Sequence, residues 1–387
     1  MTATTRPNES IAAVPTLFLA FDLGASTWKL GFTTTLGPSP RIRTIRARAV
    51  TVLLQEIAAA KKRFGLQAEA PVMSCYEAGP DGFWLHRWLT AQGVRNVVVD
   101  SSSIEVNRRA RRAKTDRLDV RKLLEQLHRY LAGQKTWSVV RVPSVVEEDG
   151  RQLHRELGTL KHDRTRVTNR VHSLLATQGV ALALAPELPV AQVGQRLAEV
   201  RLWNGEPVPA ALQARLLREW EAVVLATTRI VTLERERRAQ LRAAAAPHVD
   251  QVRALMDLRG IGENSAWLWV MEFFAWREFR NRREVGGLAG LTGTPWTSGR
   301  RQREQGISRA GNRRVRAMAV EIAWLWLRFQ PQSALSQWYL TRFSRGGSRL
   351  RRIGIVAMAR KLLIELWRYL RSGTLPAGAV LKGTTAA

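Results

Sequence analysis

The chain predicts an α/β domain followed by a long, mainly helical part, and three observations carry that prediction. Short apolar runs of strand length alternate with amphipathic helices as far as about residue 124. From Leu153 onward, apolar residues return at alternating steps of four and three. The last third carries helices rich in Trp, Leu and Arg. At 387 residues there is enough chain for two or three domains and a sizeable buried core.

The net charge is +29, and it is unevenly spread. Residues 1–100 hold 11 Lys and Arg against 7 Asp and Glu, so +25 of the net charge lies beyond them. Within 298–316, seven arginines face one acid, Glu304, and from Arg342 to Lys361 seven basic residues occur with no acid. Clustering of this kind points to a nucleic-acid backbone as partner. An anionic membrane fits less well, because these segments are not clean amphipathic helices with bulky apolar faces. No apolar run approaches the roughly 18 residues of a membrane span, so no membrane is expected. The first residues, MTATTRPNES, lack the regions of a secretory signal, and the single cysteine, Cys75, fits a reducing, cytoplasmic setting.

After a loose tail over 1–14, Leu17–Phe32 reads as a strand, a tight turn at Gly24 and a second strand. Asp22 closes the first apolar run, where a sheet exposes side chains into a crevice. The Asp-x-Gly here also resembles a kinase phosphate loop, but the second such loop those enzymes need is absent, and so is a Gly-x-x-x-x-Gly-Lys-Ser/Thr loop. Residues 48–64 suit a helix, Pro71–Tyr76 a buried strand ending at Glu77, Phe83–Thr90 a helix and Asn96–Asp100 another strand. Cys75 is most simply a small apolar residue of its strand.

Asp116 and Asp119 then stand three residues apart in RRAKTDRLDVRKLL, so a helix presents both on one face amid arginines and Lys114. Two acids inside a basic stretch repel phosphate unless a cation lies between them. Asp22, Glu77, Asp116 and Asp119, with no His or Cys cluster nearby, make an all-oxygen donor set. Such a set selects magnesium or manganese over zinc. The bland alternative for each acid is a solvated or turn-capping residue.

From Pro143 the pattern changes. Leu153, Leu157, Leu160, Val167, Val171 and Leu174, and later Leu216, Trp220, Val223, Thr227 and Ile230, predict two long helices in a hairpin, with 177–209 as connection. Spacing leaves open whether they pack on each other or on a second copy. His154, His162 and His172 are expected at the surface. Leu258–Ala266 contains Gly260-Ile261-Gly262, the turn of a helix-hairpin-helix or of a plain interhelical connection; in the first case its glycines bring backbone N–H groups to a phosphate.

Gly287–Arg316 reads as a loop or short hairpin with Ser298-Gly299 directly before Arg300, Arg301 and Arg303, and with Arg313 and Arg314 further on. An open serine beside guanidinium groups has what a nucleophile on a phosphodiester needs, although Ser-Gly alone is a weak signal. Ser308 reads instead as the cap of the helix that follows. Trp324, Trp326 and Trp367 are expected in the core, and the tail after Ser372 is expected to be flexible.

Together these stretches resemble the IS-one-ten family of insertion-sequence transposases, related to the Piv DNA invertase. The matching stretches are FDLGASTWKLGF, YEAGPDGFWLHRWL, AKTDRLDVRKLL, LRGIGENSAW, GLAGLTGTPWTSG and REQGISRAGNRRVR, in the family's order over nearly the whole chain. Gly293 stands where many relatives carry proline. The resemblance implies an RNase-H-like (RuvC-like) domain over 15–142 and a coiled-coil hairpin over 143–246. It further implies a mainly helical domain over 247–374 with a helix-hairpin-helix-like motif, then a tail over 375–387. It implies that Asp22, Glu77, Asp116 and Asp119 form a DEDD quartet holding magnesium and that Ser298 attacks DNA. Lys114, Arg300, Arg301, Arg303, Arg313, Arg314, Gly260 and Gly262 would contact nucleic acid. Also implied are dimers or tetramers, active sites joining one subunit's carboxylates to another's serine, and a non-coding guide (bridge) RNA. Two alternatives are a metal-only junction nuclease and a non-catalytic nucleic-acid-binding protein.

Overall fold

The computed structural model describes residues 15–383 except 36, 38, 80–81, 105–115, 135, 244–247 and 299–300; at 102, 116–118, 297–298 and 301–304 it describes the backbone alone. The chain divides into two compact units, Met1–Pro143 and Ser144–Ala387.

The first unit is built on five strands: β1 (Leu17–Leu23), β2 (Thr27–Thr33), β3 (Arg41–Arg46), β4 (Val72–Glu77) and β5 (Arg95–Val99), in the spatial order β3-β2-β1-β4-β5. β2 runs antiparallel to both β1 and β3, whereas β4 pairs parallel with β1 and β5 parallel with β4. The β1–β2 turn needs Gly24, whose N–H donates to Thr27 O at 3.1 Å; a Cβ there would lie 2.7 Å from that oxygen. β3 escaped the sequence pattern because it is an edge strand of alternating arginines with Ile45 as its one buried residue.

Period-two alternation sorts the two faces of this sheet. Leu17, Leu19 and Phe21 pack with α1 (Val50–Arg63) and α2 (Trp84–Ala91). Phe18, Ala20, Met73 and Cys75 pack with Val120, Leu123, Leu124 and Leu127 of α3 (Asp116–Leu131). Cys75 is fully buried, and that burial pushes its thiol pKa upward, in keeping with a core residue. Gly31 of β2, opposite Ala20, lets α3 approach: a Cβ at this position would collide with Val120 Cγ1 and sit 3.0 Å from Leu124 Cδ1. Gly31→Ala should therefore destabilise the protein by about 1–3 kcal/mol. Adding Val120→Ala should recover at least about 1 kcal/mol relative to the summed single changes in chemical denaturation. Strict additivity would show that the contact is not the cause.

The second unit opens with α4 (Val145–Asp149), which a reciprocal cap starts: Glu147 N–H donates to Ser144 Oγ at 3.1 Å and Ser144 N–H to Glu147 Oε2 at 2.6 Å. α5 (Gln152–Ala176) and α7 (Ala210–Ala243) pack antiparallel within one chain. Arg170–Glu219 at 2.8 Å and Lys161–Glu234 at 2.6 Å flank the seam. Val167, Val171, Leu216, Trp220, Val223 and Ile230 are buried in or beside it, as their spacing requires, but Leu175 takes the place expected for Leu174.

The connection at 177–209 is not featureless. It contains α6 (Val190–Glu199), whose Val193 and Leu197 are buried against α7 together with Val180 and Leu184. A ten-residue amphipathic helix behind Pro189 was hidden among alanines and prolines.

The remaining helices share one large core: α8 (Val249–Asp257), α9 (Glu263–Trp269), α10 (Arg282–Leu288), α11 (Arg313–Phe329), α12 (Ala334–Phe343) and α13 (Ser348–Ser372). A π turn, Val270–Phe274, continues α9, and a two-stranded hairpin of β6 (Gly293–Ser298) and β7 (Arg301–Ile307) separates α10 from α11. Trp326 is buried with its indole N–H donating to Ser333 Oγ at 2.8 Å. Trp324, expected in the core, is 46% exposed, because it lies two residues from Trp326 and so on another helical face. The stretch after Ser372 is strapped down rather than loose as far as residue 383. Gln330 exchanges two hydrogen bonds with Val380 at 2.8 Å each, and Lys382 Nζ donates to Ile261 O at 2.9 Å. Among the described residues no helix is long and apolar enough to cross a membrane.

Candidate active site

In the first unit, the parallel register sets Phe21 beside Tyr76, so the next positions, Asp22 near the end of β1 and Glu77 at the end of β4, stand side by side. Both continue the face that carries Ala20 and Cys75, the face covered by α3. α3 runs opposite to β1. The His128 ring lies 3.9 Å from the Phe18 ring, and Val120 lies against Gly31, the partner of Ala20. From Phe18 to Asp22 the strand advances about 13 Å, and from His128 to Asp119 the helix advances about 13.5 Å. Both paths therefore lead to the C-terminal ends of β1 and β4, where Asp22 and Glu77 sit, with Asp116 one turn beyond Asp119. Asp116 and Asp119 fall on the helical stripe of Val120 and Leu123.

Asp22 and Asp119 are half-buried and Glu77 is exposed; the Asp116 side chain lies outside the described residues. Among the described residues no three His, Cys, Asp or Glu side chains gather closely enough to hold a metal ion. Lys29, which the spacing of acids gave no reason to single out, stands directly opposite Asp22 in the β1–β2 register and shares its face.

In the second unit, Ser298 is the last residue of β6, paired with Arg301, and Arg303 pairs with Trp296. The side chains of Ser298, Arg301 and Arg303 are not described, and Lys114 and Arg300 lie outside the described residues. The root of the hairpin is well defined: Ser308 N–H donates to Thr292 O at 2.8 Å, Arg309 N–H to Gly290 O at 3.2 Å and Asn312 N–H to Leu288 O at 3.1 Å. Gly290 and Gly311, at φ +68 and +93, adopt left-handed backbone so that these loops can meet. The cap of α11 is Asn312, not Ser308. Its Oδ1 accepts from Arg314 N–H at 2.9 Å and Val315 N–H at 3.3 Å, so the helix begins at Arg313.

Gly260, at φ +86, brings its loop onto Phe329, and the N–H of Gly262 donates to Ser265 Oγ at 3.2 Å. Glu263, the first residue of α9, is held by the buried Arg237 at 2.5 Å.

A polar centre that sequence reasoning missed lies between α5, the π turn and α11. Glu272, 1% exposed, accepts from Arg155 Nε at 2.6 Å and Nη2 at 2.8 Å and from His154 Nε2 at 3.0 Å. Asn312 Nδ2 approaches at 3.4 Å and Arg314 Nη1 at 3.5 Å. His154, expected at the surface, is thus buried, because Glu272 supplies a partner from 118 residues away. Burial pushes the Glu272 carboxyl pKa upward, but the hydrogen bonds from Arg155 and His154 and their charges outweigh it, and the net result is well below the usual carboxylate range. The widened π turn is the one local irregularity at this position, and such turns recur at functional sites.

Residues 252–337, from α8 into α12, match the family model described as the transposase IS116/IS110/IS902 family. A putative transposase of Sinorhizobium fredii, y4rJ, is 38% identical over 95% of this chain and 94% of its own length. The transposase for insertion sequence element IS1328 of Yersinia enterocolitica is 25% identical over 57% of this chain and 63% of its own. A probable family 20 transposase of Pseudomonas aeruginosa is 27% identical over 63% and 69%. With that extent of similarity to a full-length relative, and a hairpin and α11 inside the matched segment, the chain belongs to the IS116/IS110/IS902 family and is a DNA transposase of insertion-sequence type.

Proposed function

We propose that this transposase cuts and joins DNA with two chemical parts, a carboxylate quartet on an RNase-H-like (RuvC-like) sheet and a serine nucleophile on the β6–β7 hairpin. The observation that carries the reading is the β1–β4 register, which sets Asp22 beside Glu77 at the strand ends toward which Asp119 and Asp116 descend. Four oxygen donors without His or Cys fit magnesium. When bound there, it would lower the cost of negative charge on the attacking and leaving oxygens of a phosphodiester. Asp22, Glu77, Asp116 and Asp119 are the residues that would hold it.

On the other unit, the Ser298 oxygen attacks phosphorus as one P–O ester bond breaks. The departing sugar oxygen takes up a proton and a phosphoserine ester remains. Arg300, Arg301 and Arg303, next in sequence, are suited to neutralise the phosphate oxygens. Lys114 of the first unit and Arg313 and Arg314 of the second would contact nucleic acid, as would Gly260 and Gly262 in a helix-hairpin-helix-like turn. The remainder of the reading is a coiled-coil part over 143–246 between catalytic parts over 15–142 and 247–374, assembly as dimers or tetramers, and a guide (bridge) RNA that selects the DNA. The charge beyond residue 100 supports a nucleic-acid partner, DNA and RNA alike.

The test is adduct trapping. With DNA carrying the element's ends and magnesium, denaturing gels should show a DNA–protein adduct with the wild type and Ser308→Ala, and none with Ser298→Ala. Cleavage without any adduct would make the protein a metal-only nuclease instead. Sequencing RNA that co-purifies with the wild type tests the guide.

A further inference from the structure

Three arginines lie at the root of the β6–β7 hairpin, and two of them, Arg309 and Arg316, have no role in the serine chemistry proposed above. Arg309 sits in the loop just after β7 with its N–H on Gly290 O at 3.2 Å. Arg316 Nη1 donates to Ala289 O at 3.2 Å, one residue away on the same loop. Arg313 lies three residues before Arg316 in α11, on the same helical face.

Arg309 and Arg316 therefore both meet the 289–290 loop, and Arg313 stands beside Arg316 on α11. Among the described residues no carboxylate pairs with any of them, although Arg314, one position over, is turned to Glu272. Burial lowers the Arg316 pKa, and repulsion from Arg309 and Arg313 lowers it further, with no acid offsetting either. Arg309 also holds a left-handed backbone at φ +57, a conformation that an arginine rarely adopts. Three neighbouring cations with no carboxylate partner among the described residues form a site that gains by taking up an anion. The capped N-terminal turn of α11 adds positive potential on the same side.

We infer that Arg309, Arg313 and Arg316 form a clamp for a backbone phosphate of duplex DNA, anchored on the 289–290 loop so that the DNA is held at the base of the Ser298 hairpin. DNA is the occupant because the clamp shares its loop with the strand that ends in Ser298; the inference in this respect rests on the serine reading above. Glu272 draws Arg155 and Arg314 to itself, whereas among the described residues no carboxylate pairs with this trio.

Equilibrium binding of full-length protein in magnesium-free buffer, to labelled duplex DNA and to single-stranded RNA of about 30 nucleotides each, tests this across a salt series. The triple variant Arg309→Gln, Arg313→Gln, Arg316→Gln should flatten the log–log salt slope for duplex DNA by about 0.9–1.8, one or two phosphates' worth. A charge-matched control at the exposed Lys62, Arg63 and Arg95 should leave the slope unchanged. Lysine at all three positions should keep the wild-type slope.

Because Arg316 also braces the loop, the double variant Arg309→Gln, Arg313→Gln is included, and it should retain at least half of the effect. An unchanged slope in the triple variant, an equal loss in the control, a loss confined to RNA, or a double variant that behaves as wild type would each overturn the clamp. The same slopes are expected in a Ser298→Ala background. Adduct lost in Ser298→Ala with the slope effect intact supports both ideas. Adduct formed by the wild type with no slope effect sinks the clamp alone, and a slope effect with no adduct in any variant sinks the serine alone.

Discussion

Asp119→Asn should lower magnesium-dependent strand cleavage by more than about 100-fold while leaving the protein folded. The floor follows from metal sites in general, where loss of an outer partner already costs about 10–100-fold in affinity or activity. An amide keeps the size of the carboxylate but lacks its charge, so the change falls on cation binding rather than on packing. Asp119 lies half-buried on the stripe that leads from Val120 and Leu123 toward the strand ends of Asp22 and Glu77, and its replacement exposes no apolar surface. The checks are cleavage kinetics over a magnesium titration, with thermal unfolding as the control for folding. Part of the lost rate should return at high magnesium if binding is what has weakened. Wild-type rates from Asp119→Asn would remove the helix from the catalytic centre.

Glu272→Gln should be the most destabilising polar substitution in the second unit, by about 2–4 kcal/mol. Removing one partner of a buried, hydrogen-bonded ion pair costs about 3–5 kcal/mol, discounted here because the Arg155 side chain is 40% exposed. The pH dependence gives an independent reading. A carboxyl held far below its unfolded value of 4.5 binds its proton less readily in the folded state. Its contribution is therefore present above about pH 4.5 and is lost as pH falls through the acid range. In urea unfolding, the gap between wild type and Glu272→Gln should be constant from pH 7 to about 5 and narrow below that. A gap that stays the same down to pH 3 would show that shape, not charge, is what Glu272 supplies. Since Glu272 also meets Asn312, the cap of α11, the variant should loosen the hairpin root as well, visible as faster amide exchange around residues 309–316.

Much of the sheet was legible because its signal is local. LFLAFDL, VMSCYE and RNVVV are apolar runs of strand length, and their order with intervening helices implies the α/β arrangement. Asp22 and Glu77 could be picked out for the same reason: each is a charge that closes an apolar run. The parallel pairing that makes them neighbours joins residues more than fifty positions apart, and no periodicity in either strand encodes it. Gly31 illustrates the limit well. In sequence it is an unremarked glycine, and only the helix lying on it explains why a side chain is excluded.

The helical part divides along the same line. Steps of four and three specified α5 and α7, but whether the two meet in one chain was decided by the Arg170–Glu219 and Lys161–Glu234 pairs and by α6 folding back over Trp220, whose indole N–H reaches Leu188 O at 2.9 Å. His154 read as a surface residue since nothing within a turn of it explains its burial; its partner is brought by the fold.

By itself, then, the sequence determined the α/β-then-helical class, the basic character beyond residue 100, the helix carrying Asp116 and Asp119 and the family to which the chain is similar, all of which depend on residues near one another along the chain. Tertiary structure alone decided that Glu272 gathers Arg155, His154, Asn312 and Arg314, that Arg309 and Arg316 both meet the 289–290 loop, and that Val380 is tied to Gln330. Charges and amides act through space over a few ångströms, and which of them come within that range is set by how distant segments pack.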